Sequence, residues 1–512
     1  MKLSGRIKQG FYFDSVTLMR VGRELSGLPG VIDASVVMGT EANRSILDMS
    51  GLLLPEFKKS GEQDLLIVVK AKDDKSAQDA LAKAENMLSR KKKPAAGGGA
   101  DAPAPRDLAA AIAALPGANL ALISVAGRYA AREARKSLEA GLHVMLFSDN
   151  VSIEDEVALK KAAHKKGLLV MGPDCGTAIL NGVPLAFANV VPKGPIGIVG
   201  ASGTGTQEVT CIIANEGSGV SQAIGTGGRD VKDAVGGITF LDAMQALADD
   251  SETKVIVLVA KPPQPKVLKK VYTLIRKTKK PVVALFLGEG GMPATLEQAA
   301  HLAVAQVKGT DPVKEMARLE KRDAILQDEA RALVAKRRKP KGRYLRGLFS
   351  GGTFCAEAQV ALDGILRHVT SNAPLGETQK LKSAWKLEKN ALVDLGEDEF
   401  TVGRPHPMID YTLRNKMILD EAANPDTAVI LIDVVLGHGA HLDPAAELVP
   451  VIQKASRQVF VVAGVIGTIG DPQNRAQVVE ALREAGAQVQ LTNVAACKLA
   501  GYLAAEVIRK NR

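Results

Sequence analysis

Aromatic residues make up only 4 % of this 512-residue chain, which carries a single tryptophan. Few rings are left for base stacking, so the formal net charge of +10 does not make it a nucleic-acid binder. The excess of Lys and Arg falls largely in short runs, Lys91 to Lys93, Arg276 to Lys280 and Lys336 to Arg343, which read as solvated helix ends and linkers. Small anionic substrates are the expected partners. Four cysteines, Cys175, Cys211, Cys355 and Cys497, lie far apart with no C-x-x-C pair, so neither a disulfide framework nor a metal site is expected, and a reducing cytoplasm fits. The N-terminus lacks an apolar core of the secretory kind and no apolar run approaches about 20 residues, so neither secretion nor a membrane span is expected. Two nucleotide signatures are also missing, G-x-x-x-x-G-K-[ST] and G-x-G-x-x-G.

What is present instead is Gly197-Ile-Val-Gly-Ala-Ser-Gly-Thr-Gly-Thr206. A buried-strand pattern runs into small residues and then into the helical Gln207 to Asn215. The first backbone N–H groups of a helix have no intrahelical acceptor, so such a turn collects donors around one point and suits phosphate or carboxylate. The same device recurs at Leu345-Arg-Gly-Leu-Phe-Ser-Gly-Gly-Thr-Phe-Cys355, ahead of a helical Ala356 to Ile365. If Ser202, Gly203, Thr204 and Gly205 met Ser350, Gly351, Gly352 and Thr353, two helix dipoles would hold one anion.

The length allows roughly three or four domains. Residues 1–90 read as a small α+β unit of ferredoxin-like kind, and 91–105, with Ala-Ala-Gly-Gly-Gly and Ala-Pro-Ala-Pro, as a flexible linker. Strand and helix patterns alternate over 106–193 and again over 194–310, which predicts parallel sheets covered by helices, the second in a flavodoxin-like register. A charged helix and basic connection occupy 311–343. A third α/β unit fills 344–512, with strands expected at Arg346 to Phe349, Ala428 to Ile432, Val459 to Val465 and Val489 to Thr492.

Gly194 to Gly228, Thr239-Phe-Leu-Asp-Ala and Lys280-Pro-Val-Val-Ala-Leu resemble the second domain of the succinyl-CoA synthetase α subunit, and Met171-Gly-Pro-Asp-Cys-Gly176 resembles the turn ending its CoA-binding domain. Ser350 to Thr353, Leu392-Val-Asp-Leu-Gly396 and Asp433-Val-Val-Leu-Gly-His-Gly439 resemble the C-terminal domain of its β subunit. With Asp14-Ser-Val-Thr-Leu-Met19 and Met38-Gly-Thr-Glu-Ala-Asn43, the whole order resembles the FdrA family. The fold this implies is α/β, several Rossmann-like and flavodoxin-like parallel-sheet domains of the succinyl-CoA synthetase type behind a small N-terminal α+β domain. The activity it implies is that of an oxamate carbamoyltransferase subunit in purine-derived ureide breakdown, turning oxalurate and phosphate into oxamate and carbamoyl phosphate. Phosphate is then the co-substrate, no cofactor is obligatory, and a separate subunit or a homo-oligomer is the expected partner.

Three departures from the synthetases matter. The glycine-rich CoA turn of the first strand is missing, so 106–193 reads as a truncated CoA-binding-like domain and CoA remains only a candidate ligand. No nucleotide-binding ATP-grasp domain is present. The synthetases' phosphorylated histidine lies in a Gly-His-Ala-Gly turn, whereas His301 sits in the helical Gln298-Ala-Ala-His-Leu-Ala303 and reads as a packing residue. A CoA ligase component and a non-catalytic metabolite binder are the alternatives.

Candidate catalytic residues are His438, between two glycines after an apolar strand, with Asp433 and Asp394 placed to orient an amide or to cap turns. Gly227, Gly228, Arg229 and Asp174 are candidate substrate contacts. Arg404 and His406 lie in an expected loop where a guanidinium can pair with a carboxylate. Cys175 and Cys355 stand by glycine turns and read as small buried residues, with a nucleophilic role open.

Overall fold

The computed structural model describes residues 2–11, 13, 15–89, 105–337, 340–401 and 405–511. The linker expected at 91–105 lies outside them apart from Pro105, as does Arg404. The chain divides into two compact units, residues 1–104 with 397–406, and residues 105–396 with 407–512.

The first unit is a three-stranded antiparallel sheet ordered β1-β3-β2, from β1 (Lys2–Lys8), β2 (Val31–Met38) and β3 (Leu65–Ala71). Its helices are α1 (Ser15–Ser26), α2 (Glu41–Met49) and α3 (Asp74–Ser89). Alternation along β3 decides the packing. Leu65, Ile67, Val69 and Ala71 join Leu18, Leu25 and Leu81 on one face, while Leu66 and Val68 meet Leu47, Leu52 and Phe57 on the other. The α+β expectation holds, but the fourth strand of a ferredoxin-like sheet is not among the described residues.

The second unit begins with α4 (Leu108–Ala114), β4 (Leu120–Ile123), α5 (Gly127–Glu139), β5 (His143–Leu146), α6 (Ile153–Lys165) and β6 (Val170–Met171), whose strands form a parallel three-stranded sheet. A hairpin, β7 (Thr177–Leu180) and β8 (Val183–Ala186), follows. Then come β9 (Lys193–Gly200), α7 (Gly203–Asn215), β10 (Val220–Gly225), α8 (Ile238–Asp249), β11 (Val255–Ala260), α9 (Pro265–Lys277), β12 (Val282–Phe286) and α10 (Leu296–Lys308). The sheet order is β12-β11-β9-β10-β7-β8, parallel as far as β10 and antiparallel beyond it. The parallel expectation holds from β12 to β10, and the antiparallel hairpin is an addition at one edge. Residues 177–186 belong to the following sheet, because a tight hairpin can add to its edge without a crossover helix.

After α11 (Pro312–Lys336) comes a seven-stranded parallel sheet ordered β15-β14-β16-β13-β17-β18-β19. Its elements are β13 (Tyr344–Phe349), α12 (Gly352–Leu362), β14 (Val369–Ser371), β15 (Gln379–Lys380), β16 (Asn390–Asp394), α13 (Asp398–Thr401, grouped with the first unit), α14 (Thr412–Ala423), β17 (Thr427–Val435), α15 (Pro444–Ala455), β18 (Phe460–Ile466), α16 (Arg475–Glu484), β19 (Gln488–Gln490) and α17 (Asn493–Lys510). The core strands of both large sheets are near-continuous apolar runs, such as Val255 to Ala260 and Thr427 to Val435, as strands covered on both faces require. One apolar core runs through both sheets, from Ile198 and Val209 through Leu296, Phe354 and Leu362 to Leu499 and Leu503.

Candidate anion site

In each large sheet the chain leaves the first of the parallel strands, β9 or β13, and later strands add on both sides of it. Helices α7 and α12 therefore start at the topological switch points, where open α/β sheets hold ligands beyond the strand carboxyl ends. Ser202 is the N-cap of α7, its hydroxyl accepting the Gly205 N–H at 3.0 Å. The N–H groups of Gly203 and Thr204 remain in the first turn without an intrahelical acceptor. Helix α12 begins after Gly351 with no side-chain cap, which leaves Gly352 and Thr353 N–H in the same condition.

The two helix starts touch. Ser202 Oγ lies 2.6 Å from Thr353 Oγ1. A Cβ on Gly205 would meet Thr353 Cγ2 at 3.0 Å, and one on Gly351 would meet the Thr204 side chain at 2.7 Å, so glycine at these two positions lets the helices approach. Gly203 is exposed and Thr204 half-buried, so the junction opens to solvent on the α7 side.

The acidic candidates take different places. Asp433 is wholly buried: Oδ1 accepts from Ser350 N at 2.7 Å and Arg414 Nη1 at 3.0 Å, and Oδ2 accepts from Ser350 Oγ at 2.7 Å and Gly351 N at 3.1 Å. It anchors the turn that leads into α12. This corrects the catalytic assignment of Asp433 and removes Ser350, together with the Gly351 N–H, from the anion donors, since a carboxylate already occupies them. Asp394 ends β16 and accepts the Gly396 N–H at 2.9 Å. Its Oδ2 would lie 2.4 Å from a Cβ on Gly352, so it flanks the α12 start. His438 follows β17 in a loop fixed by its backbone N–H on Ala188 O at 2.8 Å, and its imidazole is exposed.

Of the candidate substrate contacts, Gly227 and Arg229 are engaged within the fold. Gly227, at φ +81°, packs where a Cβ would stand 2.3 Å from Pro173 O, which brings it against the turn holding Asp174. Gly228 and Asp174 are exposed. Arg229 is engaged by Val151 O at 2.8 Å and Glu156 Oε2 at 2.9 Å, so its fork serves α6 rather than a substrate. Burial pushes the Cys175 thiol up to about 12 and that of Cys355 higher still, so both stay protonated and the small-residue reading holds. His301 is 5 % exposed, and Arg318 Nη2 donates to its Nδ1 at 2.9 Å. Because a guanidinium can only donate, Nδ1 accepts and the ring is neutral; burial also lowers its pKa.

Three buried residues were not singled out in the sequence. Glu208 on α7 accepts the Asn493 N–H that opens α17 at 2.6 Å, and Glu357 on α12 accepts the Leu296 N–H that opens α10 at 2.7 Å. Each site helix thus caps a helix of the other sheet. Asn493 Nδ2 also donates to Glu357 Oε2 at 2.8 Å. Burial, with Glu357 beside it, raises Glu208 well above the carboxylate range, and burial pushes Glu357 up to about 7. Both carboxylates sit six residues into helices whose first turns carried the glycine motif, and no local pattern marks a partner that far along the chain.

Comparison with known proteins agrees with this architecture. Residues 192–288 match the family described as CoA binding domain, residues 348–503 the CoA-ligase family, and residues 1–105 the AllF heavy metal-associated domain. The uncharacterized protein YahF of Escherichia coli K12 is 42 % identical over 490 residues, covering 94 % of each chain. The chain belongs to the FdrA family. The α subunit of the ADP-forming succinate–CoA ligase of Staphylococcus epidermidis is 27 % identical over 198 residues, 38 % of this FdrA chain and 64 % of that subunit. Among solved structures, the dinucleotide-forming acetyl-coenzyme A synthetase 1 of Ca. Korarchaeum cryptofilum aligns at 16 % identity over 77 % of this chain and 84 % of that one, with a TM-score of 0.29. The heavy-metal description does not fit the residues present. Residues 1–105 contain no cysteine, and no group of three or more metal-ligating side chains occurs among the described residues. No helix among the described residues is long and apolar enough to cross a membrane.

Proposed function

We propose that this FdrA protein holds inorganic phosphate between α7 and α12 and transfers a carbamoyl group to it, as a subunit of an oxamate carbamoyltransferase. The observation that carries the reading is the 2.6 Å contact of Ser202 and Thr353, which sets the two helix starts side by side, each with first-turn N–H groups left over. Both first turns present N–H donors and the positive ends of helix dipoles to one point. A phosphate held there and partly stripped of water attacks the carbamoyl carbon of oxalurate. The new C–O bond forms as the C–N bond to oxamate breaks, and the leaving nitrogen takes the proton carried by hydrogen phosphate. No enzyme nucleophile is needed, which suits a chain whose Cys175 and Cys355 are buried and whose His301 is locked by Arg318. In this reading Asp394, beside the α12 start, accepts an N–H of the ureide.

A second reading, a CoA ligase component, is favoured by the CoA-binding and CoA-ligase family matches. In that reading CoA is a substrate. A separate subunit would supply what the chain lacks in either case. The deciding experiment is a phosphate-dependent assay of oxalurate cleavage by the purified chain, alone and with the products of neighbouring genes, run beside a CoA ligase assay. Carbamoyl phosphate formation supports the first reading; CoA thioester formation with none of it supports the second.

A further inference from the structure

One buried hydroxyl close to this junction has no partner. Thr177 opens β7 on the antiparallel edge of the six-stranded sheet and is only 2 % exposed. Its Oγ1 makes no hydrogen bond. It lies 3.5 Å from where a Cβ on Gly203 would stand, over the first residue of α7. Its backbone is held fast: the carbonyl lies 2.3 Å from where a Cβ on Gly225 would be, and β7 pairs with both β10 and β8. The hydroxyl is thus presented to the helix start by a rigid strand rather than by a loop.

A buried hydroxyl without a partner costs stability, whereas a methyl in the same place does not. Valine is nearly the same shape as threonine and suits a strand, so packing alone would favour it here. We propose that the Thr177 hydroxyl is a third arm of the anion site and donates to the same oxyanion as the Gly203 and Thr204 N–H groups; this rests on the phosphate reading above. Donors then converge from two helices and from the sheet edge. Three directions of approach suit a tetrahedral oxyanion, inorganic phosphate, better than a planar carboxylate. The segment that resembles the synthetase turn ends at Gly176, so the residue lies one position beyond any recognisable motif.

Thr177→Val and Thr177→Ser in the full-length protein, with calorimetric titration of inorganic phosphate and thermal unfolding without phosphate, test this. The expected result for Thr177→Val is phosphate binding weakened about tenfold or more, as for a lost hydrogen bond to a charged ligand. Its melting temperature in the absence of phosphate should be no lower than that of wild type. Thr177→Ser should bind within about threefold of wild type, so that a packing defect in the valine variant is told apart from a lost donor. Wild-type affinity in Thr177→Val, or equal weakening in both variants, overturns the role of the hydroxyl. Gly203→Val separates the two claims. If wild type binds phosphate and Gly203→Val does not, but Thr177→Val does so fully, only the third arm fails; if wild type binds no phosphate, the site reading and this inference fall together.

Discussion

Gly203 and Gly352 are equivalent in sequence, each the first residue of a helix after a strand, yet their surroundings differ. A Cβ on Gly203 meets nothing closer than Thr177 Oγ1 at 3.5 Å, whereas one on Gly352 would stand 2.4 Å from Asp394 Oδ2. Gly203→Val should therefore fold as wild type and lose phosphate binding, because the side chain covers the donors. Gly352→Val should lose binding and also about 1–3 kcal/mol of stability, since Asp394 must move; denaturant unfolding read beside phosphate titration distinguishes them. His301→Ala should leave phosphate binding and turnover within about twofold while costing about 1–2 kcal/mol, because the buried ring is removed while Arg318 keeps Glu216 and Glu315. Phosphate-dependent turnover and urea unfolding check this, and an acid-labile phosphate on wild type that disappears in His301→Ala would refute it. The glycines of the site were legible because a tight approach needs glycine. Arg414, which holds Asp433 from the far side, was not, since nothing local joins residues 19 positions apart.

Among the elements, α7 and α12 are set by their crossed capping carboxylates. Glu357 is fully buried and its pKa lies near 7, above its ordinary 4.5. Below about pH 4.5 it is protonated folded or unfolded, and burial costs nothing through this group. Between 4.5 and 7 only the folded chain keeps the proton, so stability falls as pH rises, and above about 7 the loss is complete. The full span is on the order of 3 kcal/mol. Urea midpoints measured from pH 5 to 8 should show this decline, and Glu357→Gln should make it shallower, with the share of Glu208 remaining, despite setting an amide against Asn493 Nδ2 at a cost of about 1 kcal/mol. A slope unchanged in that variant would assign the titration elsewhere. The helices and buried strands were legible from their periodicity and apolar runs, with ends shifted by up to four residues. The β7–β8 hairpin was not, because short strands carry little periodic signal and the sheet they join is chosen by edge pairing.

At the scale of the second unit, the small parallel sheet is fastened to its neighbour by buried charge. Lys160 on α6, 1 % exposed, reaches Glu156 at 2.9 Å, Asp230 at 2.7 Å and the Thr226 carbonyl at 3.0 Å. Asp230 in turn accepts the Phe240 N–H in the first turn of α8 at 2.7 Å. Lys160→Met would leave buried Asp230 without its cation and Glu156 with Arg229 alone, and should cost about 3–5 kcal/mol. Thermal unfolding measures the loss, and a change below about 1 kcal/mol would mean the carboxylates find another counter-ion.

Apart from the β7–β8 hairpin, the main alternation of strands and helices, the family and the two glycine turns were in the sequence, because periodicity, turn chemistry and helix starts are local properties. Tertiary structure alone decided which groups of those turns are engaged by the protein and which stay open. It set Ser202 against Thr353, gave Ser350 and Gly351 to Asp433, locked His301 with Arg318 and left the Thr177 hydroxyl without a partner. Each of these pairs or vacancies joins residues far apart in the chain, and only the packing of two sheets around one core selects among the partners that composition allows.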